Sequence, residues 1–190
     1  CAFDSKGKNF RHEIYEDYKA NRPEMPNELQ KQLPHLWEVL EALNITTIKK
    51  KGFEADDLIG TLVTKASKNG LISYIVSGDK DFMQLINDET FLYAPGTRKS
   101  PDPIIYDAKK VEERWGVPPN KITDLLGLMG DNSDNVPGVS GVGEKTAVKL
   151  LKEYGSIDGV LSNIEKVKNK RVYNGLKDGV ENAKLSKELV

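Results

Sequence analysis

One cysteine, two histidines and no long apolar run set the first limits on this chain of 190 residues. A lone Cys1 at the terminus excludes an intrachain disulfide framework and any cysteine-rich zinc pattern, and it points to a reducing, cytosolic setting. His12 and His35 are too few for a zinc site. No stretch approaches the roughly 20 apolar residues of a membrane span, and no signal peptide opens the sequence, so no membrane partner is expected. An excess of one charge is missing too: 28 Lys and Arg stand against 29 Asp and Glu, a formal −1. Taken alone, that balance argues against nucleic acid, whose binding proteins carry a positive footprint.

What is present is enough to fold. With 38% hydrophobic residues the chain can bury one core, as a single domain or a domain with an appended lobe. The first half alternates strand and helix signals: a strand tail at residues 1–4, a helix over 27–43 with Leu29, Leu33, Leu36, Trp37, Leu40 and Leu43 as a core stripe, a short strand at 45–48, and a helix over 54–67. A nearly continuous apolar run at 71–76 predicts a strand buried on both faces. A short helix to Ile86, a strand at 90–93 and a surface loop over 94–103 follow. This alternation predicts an α/β fold, a parallel sheet flanked by helices. The second half reads as all helical: Asp107 caps a helix to Trp115, and others span 120–129, 145–154 and 157–164. From Glu165 onward the periodicity is weak.

Residues 10–21 interleave Lys, Arg and His with Phe10, Tyr15 and Tyr18. Two readings stand: a solvated amphipathic helix, or a basic aromatic surface for single-stranded nucleic acid.

The acidic residues are grouped. Asp4 follows a strand, Glu54-Ala55-Asp56-Asp57 opens a helix, Asp79-Lys80-Asp81 follows the 71–76 strand, and Asp131 and Asp134 follow a helix. Strand ends of an open parallel sheet share one edge, where ligands bind, so Asp4 and Asp79 should converge. On an ideal helix Glu54 and Asp57 share a face and Asp56 does not, so all three reach one pocket only through an irregular first turn. A helix N-terminus favours carboxylates in any case. Eight carboxylates at one edge require neutralisation, and oxygen-only donors suit Mg²⁺ or Mn²⁺. Setting those eight aside turns the formal charge from −1 to +7, a basic surface around an acidic pocket.

The segment from Gly130 to Ala147 combines two chemistries. Asp131 and Asp134 suit a cation, while Gly141 and Gly143 open a helix whose free amides, near Lys145 and Thr146, suit a phosphate. Its Gly, Asn, Asp and Ser residues are also ordinary turn formers.

Together with Phe3-Asp4, Phe10-Arg11-His12-Glu13, Tyr18-Lys19-Ala20-Asn21-Arg22-Pro23, Glu54-Ala55-Asp56-Asp57 and Gly78-Asp79-Lys80-Asp81, this segment resembles the 5′-nuclease family of flap endonucleases and polymerase I exonuclease domains. The resemblance runs from Asp4 to about Leu151. It implies metal ligands at Asp4, Glu54, Asp56, Asp57, Asp79, Asp81, Asp131 and Asp134, holding two Mg²⁺ or Mn²⁺ ions. It implies catalytic cations at Lys19 and Arg22, below an arch that admits the 5′ strand. DNA contacts are expected at Lys6, Arg11, Lys19, Arg22, Gly141, Gly143, Lys145 and Thr146, the last four in a helix-hairpin-helix turn that can hold a monovalent cation such as K⁺. The implied activity is 5′→3′ exonuclease and 5′-flap endonuclease cleavage of DNA in bacterial replication and repair, with a polymerase domain a candidate neighbour in the parent chain. The expected organisation is a catalytic core over 1–129 and a metal loop with helix-hairpin-helix region over 130–190. In the family a first strand with another metal-binding Asp precedes the position of Asp4. Its absence here predicts a truncated chain of low activity, or a DNA-junction-binding module with impaired catalysis.

Overall fold

The computed structural model describes residues 1–98 and 100–190; position 99, in the expected 94–103 loop, lies outside the described residues. The helices are α1 (Phe10–Ile14), α2 (Asn27–Ala42), α3 (Ala55–Lys68), α4 (Ala108–Trp115), α5 (Ile122–Met129), α6 (Glu144–Tyr154), α7 (Ile157–Ser162), α8 (Lys170–Asp178) and α9 (Val180–Leu189). The strands are β1 (Ser73–Val76), β2 (Thr90–Ala94) and β3 (Ile104–Tyr106). No described helix is long and apolar enough to cross a membrane.

The sheet is mixed rather than all parallel. β1 pairs with β2 in parallel, with Ile75 opposite Leu92, and β3 returns antiparallel, with Leu92 opposite Tyr106. The short β3 follows directly from the loop, and Asp107 then caps α4 by accepting from the Lys110 amide at 2.8 Å. At the chain start, Ala2 bridges Ile48 in parallel, so the expected strands at 1–4 and 45–48 reduce to one bridge.

The core sits in the second half. α5 is apolar on nearly every side: Ile122, Leu125, Leu126 and Leu128 are all buried, enclosed by α6, α7, α9 and the 3₁₀ turn Lys80–Leu85. Each such side chain contributes roughly 1.5–3 kcal/mol by leaving water. Two expectations fail here. The α2 stripe is not core, because only Leu40 of it is buried while Leu29, Leu36, Val39 and Leu43 are exposed, and Trp37 packs edge-on against Phe3. β1 is not buried on both faces: Ile75 faces α3 and the core, but Tyr74 and Val76 are exposed, as are Leu71 and Ile72 before it. Among the described residues β1 is an edge strand, paired only with β2. The weakly periodic end is in fact α8 and α9, whose Val172, Leu176, Ala183, Ser186 and Leu189 are buried.

This helical assembly fixes the glycine turn. A Cβ on Gly175 of α8 would stand 1.9 Å from the Ser140 carbonyl oxygen, so only glycine lets α8 press against the turn. The Gly138 amide donates to the buried Ser186 hydroxyl of α9 at 2.9 Å.

Candidate active site

A pocket of about 180 Å³ is lined by Glu54, Asp56, Asp57, Asp81, Asp131 and Asp134, with Arg11 and Tyr18. Three distant stretches supply these carboxylates. The first is the start of α3, where Glu54 is the N-cap and is therefore outside the regular helix. That irregular position lets Glu54, Asp56 and Asp57 all face one pocket. The second is the 3₁₀ turn after β1, where Asp79 accepts from the Asp81 amide at 3.0 Å and so aims Asp81 inward. The third is the loop after α5, closed by paired backbone bonds between Asp131 and Val136 at 3.0 and 2.8 Å.

Asp4 and Asp79 are exposed and do not line the pocket. Asp4 accepts from the Ala55 amide at 2.7 Å, and both carboxylates act on the charge of Asp56. Asp56 is exposed as a residue, but the partial desolvation of its carboxyl, then Asp79, raises its pKa to about 6, with Glu54 and Asp4 adding to the shift and Lys19 opposing it.

The segment around Lys19 folds over the third stretch. Of residues 10–21 only α1 is helical; beyond it Lys19 adopts φ +58° and its amide donates to the Asp134 carbonyl at 2.9 Å. Its ammonium lies 2.6 Å from Glu54 Oε1 and 3.5 Å from Asp134 Oδ2. Arg22 pairs with Asp134 as well. Both expected catalytic cations thus lie beside the carboxylates. Lys80 lies between Asp81, at 2.9 Å, and Asp131. Burial raises the Asp81 pKa despite Lys80, whereas at Asp131 the bonds from Lys80 and the Ser133 amide outweigh burial and lower it.

Two expected residues have other occupations. Arg11 is not a surface cation: its guanidinium is 11% exposed, grips Asp57 through two bonds of 3.1 and 3.0 Å, and donates to the Leu189 carbonyl at 2.7 Å. Its own burial disfavours charge, but Asp57 outweighs that and raises its pKa. Asp57 also accepts from the Glu54 amide at 2.9 Å, so its oxygens are committed to holding the helix start and Arg11. Lys6 and Lys145 are exposed, and Thr146 is half-buried. Gly141 has the φ of +79° that favours glycine, but Gly143 does not: at φ −97° it is an extended N-cap of α6 with room for a Cβ.

Sequence reasoning passed over Tyr18, Asn9 and Lys80. The buried Tyr18 hydroxyl lies 3.2 Å from both Glu54 Oε2 and Asp134 Oδ2, and burial followed by those two charges raises its pKa. The buried Asn9 amide donates to Glu54 Oε1 at 2.8 Å. Lys80 left a signal as a cation set between two aspartates, and Tyr18 one as a ring of the basic aromatic segment; Asn9 left none.

The donor set suits a hard cation: oxygen ligands only, a surplus of negative charge, and ammonium groups standing where positive charge is wanted. Among the described residues no three Asp, Glu, His or Cys side chains form a ready chelating cluster. Lys19 and Lys80 occupy carboxylate oxygens that such a cluster would use.

A pH dependence follows. Asp56 has a folded pKa above its ordinary value, so the fold holds that proton more tightly than the unfolded chain does. Stability in EDTA should therefore fall as pH rises from about 4 to about 6, with Asp81 acting in the same direction. Asp131 works oppositely, its contribution being lost as pH falls through the acid range. Asp56→Asn is expected to flatten the decline in thermal midpoint over that window. Equal slopes in variant and wild type would remove Asp56 as the cause.

Comparison with known proteins gives the family and supports the fold. Residues 1–116 match the family described as 5′-3′ exonuclease, N-terminal resolvase-like domain, and residues 117–190 match 5′-3′ exonuclease, C-terminal SAM fold. DNA polymerase I of Bacillus subtilis (strain 168) is 43% identical over 99% of this chain, which spans 21% of that relative's length. The 5′-3′ exonuclease of Buchnera aphidicola subsp. Baizongia pistaciae is 44% identical over 98% of this chain and 62% of its own. In fold, T5 5′-exonuclease, solved with bound divalent zinc ions, superposes with a TM-score of 0.81 at 21% identity, covering 99% of this chain and 72% of its own. The catalytic core of Rad2 in complex with DNA gives 0.58 at 19% identity, covering 95% and 58%. On the family matches, the first over more than half of its residues, the chain belongs to the 5′-3′ exonuclease family.

Proposed function

We propose that this chain is the catalytic region of a divalent-metal-dependent nuclease that hydrolyses DNA phosphodiesters from 5′ ends and at 5′ flaps, at junctions between single strand and duplex. The observation that carries this reading is the meeting of Glu54, Asp56, Asp81, Asp131 and Asp134 in one pocket bordered by Lys19 and Arg22. Those carboxylates, with the exposed Asp4 and Asp79, would hold two Mg²⁺ or Mn²⁺ ions. The chemistry such ions supply is activation of water and charge stabilisation of the leaving oxygen. Lys19 and Arg22 are placed to turn from the carboxylates to the non-bridging oxygens of a scissile phosphate. Tyr18 and Asn9 hold Glu54 in place. The Gly141 turn and the uncapped α6 N-terminus, with Lys145 and Thr146, grip duplex backbone, and the turn is the place for a K⁺ ion. Contacts of this kind read shape and ends rather than sequence.

The relatives named DNA polymerase I support a polymerase domain in the parent chain and a setting in the bacterial cytosol. The test is cleavage of a 5′-labelled flap DNA by the full-length protein in Mg²⁺, Mn²⁺ or EDTA. Short labelled products in either metal and none in EDTA are expected. Junction binding without cleavage in any metal would replace the nuclease with a binding module.

A further inference from the structure

Beyond the glycine turn lies a second groove, about 390 Å³, between α6 and the connection into α8. Its rim carries Lys145 and Lys149 from α6, Lys166 and Lys168 from the connection, and one carboxylate, Glu153. All four lysines are exposed, in a chain whose net charge is −1. Lys145 and Lys149 are one helical turn apart and share a face, about 6 Å along the axis. The floor is apolar, with Leu150 and Val172 buried and Val167 packed on the core. It therefore sets the height of the lysines without competing for a charged ligand.

Resting on the nuclease reading, we infer that this groove holds the phosphate backbone of the duplex arm as it continues past the glycine turn, away from the cut. Two features favour duplex over single strand. The groove's one ring, that of Tyr154, packs against the core and is not free to stack on a base. Its cations are lysines, point charges suited to the two closely spaced rows of phosphates that a duplex presents.

The test is the salt dependence of junction binding by the full-length protein and by a Lys149→Ala/Lys166→Ala/Lys168→Ala variant. Three lost phosphate contacts should reduce the slope of log K against log salt by about 2.7, and affinity at 0.1 M salt on the order of 10²-fold. The corresponding triple Lys→Arg variant should keep the wild-type slope, which separates lost charge from misfolding. Binding to a single strand should change far less than binding to the junction. An unchanged slope in the alanine variant, or an equal loss for single strand, overturns the groove as a duplex track. A wild-type protein that neither binds nor cuts junctions fails at the active site instead, and the two failures are therefore distinct.

Discussion

Asp81→Asn is expected to lower flap cleavage by about 10³-fold or more while junction binding is retained or tightened. Asp81 lines the pocket at the end of a short path from β1, and its side chain is 25% exposed. Asparagine keeps the volume and one acceptor oxygen but removes the charge that a divalent ion requires. The fold should tolerate the change, because Lys80 keeps Asp131 as its partner and Asp79 still caps the turn. The sign for binding follows from charge: the pocket repels phosphate, so one negative charge fewer weakens that repulsion. Single-turnover cleavage at saturating Mg²⁺, beside a binding titration in EDTA, measures both. Cleavage within about tenfold of wild type would remove Asp81 from the metal set, as would an equal fall in binding.

The second large effect is on stability. Arg11→Ala is expected to cost about 3 kcal/mol, since it leaves Asp57 a largely desolvated charge without its partner and the Leu189 carbonyl without its donor. For a chain of this size that is a fall of about 6–12 °C in thermal midpoint. Arg11→Lys should recover little of it, because one ammonium cannot reproduce the two-bonded grip on Asp57 together with the bond to Leu189. Arg11 joins the chain start, the α3 start and the end of α9, so the loss should also loosen the pocket wall. A variant with the wild-type midpoint and weakened DNA binding would restore Arg11 to the surface role that its sequence context suggests.

The carboxylate groups show how far local sequence carries. Their chemistry was legible because grouped carboxylates suit a divalent cation, and one Cys and two His leave few sulfur or nitrogen donors beside them. Their grouping at segment ends was legible too. What spacing left open was which of Glu54, Asp56 and Asp57 could share a pocket, and the N-cap conformation of Glu54 decided it. The role of Arg11 was beyond reach, because its partners are 46 and 178 residues away along the chain. Periodicity misled in α2 and β1 for one reason. An apolar stripe records that a face is fit to be covered, but not that the described chain covers it. The weak periodicity after Glu165 has the reverse cause in α9, whose buried face includes Ala183 and Ser186, residues too small or polar to stand out.

By itself, then, the sequence determined the α/β beginning, the helical remainder, the acidic chemistry and the glycine turn, since these depend on residue type and on spacings within a few residues. The tertiary structure alone decided which cations neutralise which carboxylates, that Asp57 accepts from Arg11 and the Glu54 amide, that β1 lies at the edge of a mixed sheet, and that α8 presses on the turn through Gly175. Each of these is a contact between segments far apart in the chain, set by packing and long-range electrostatics that no local pattern encodes.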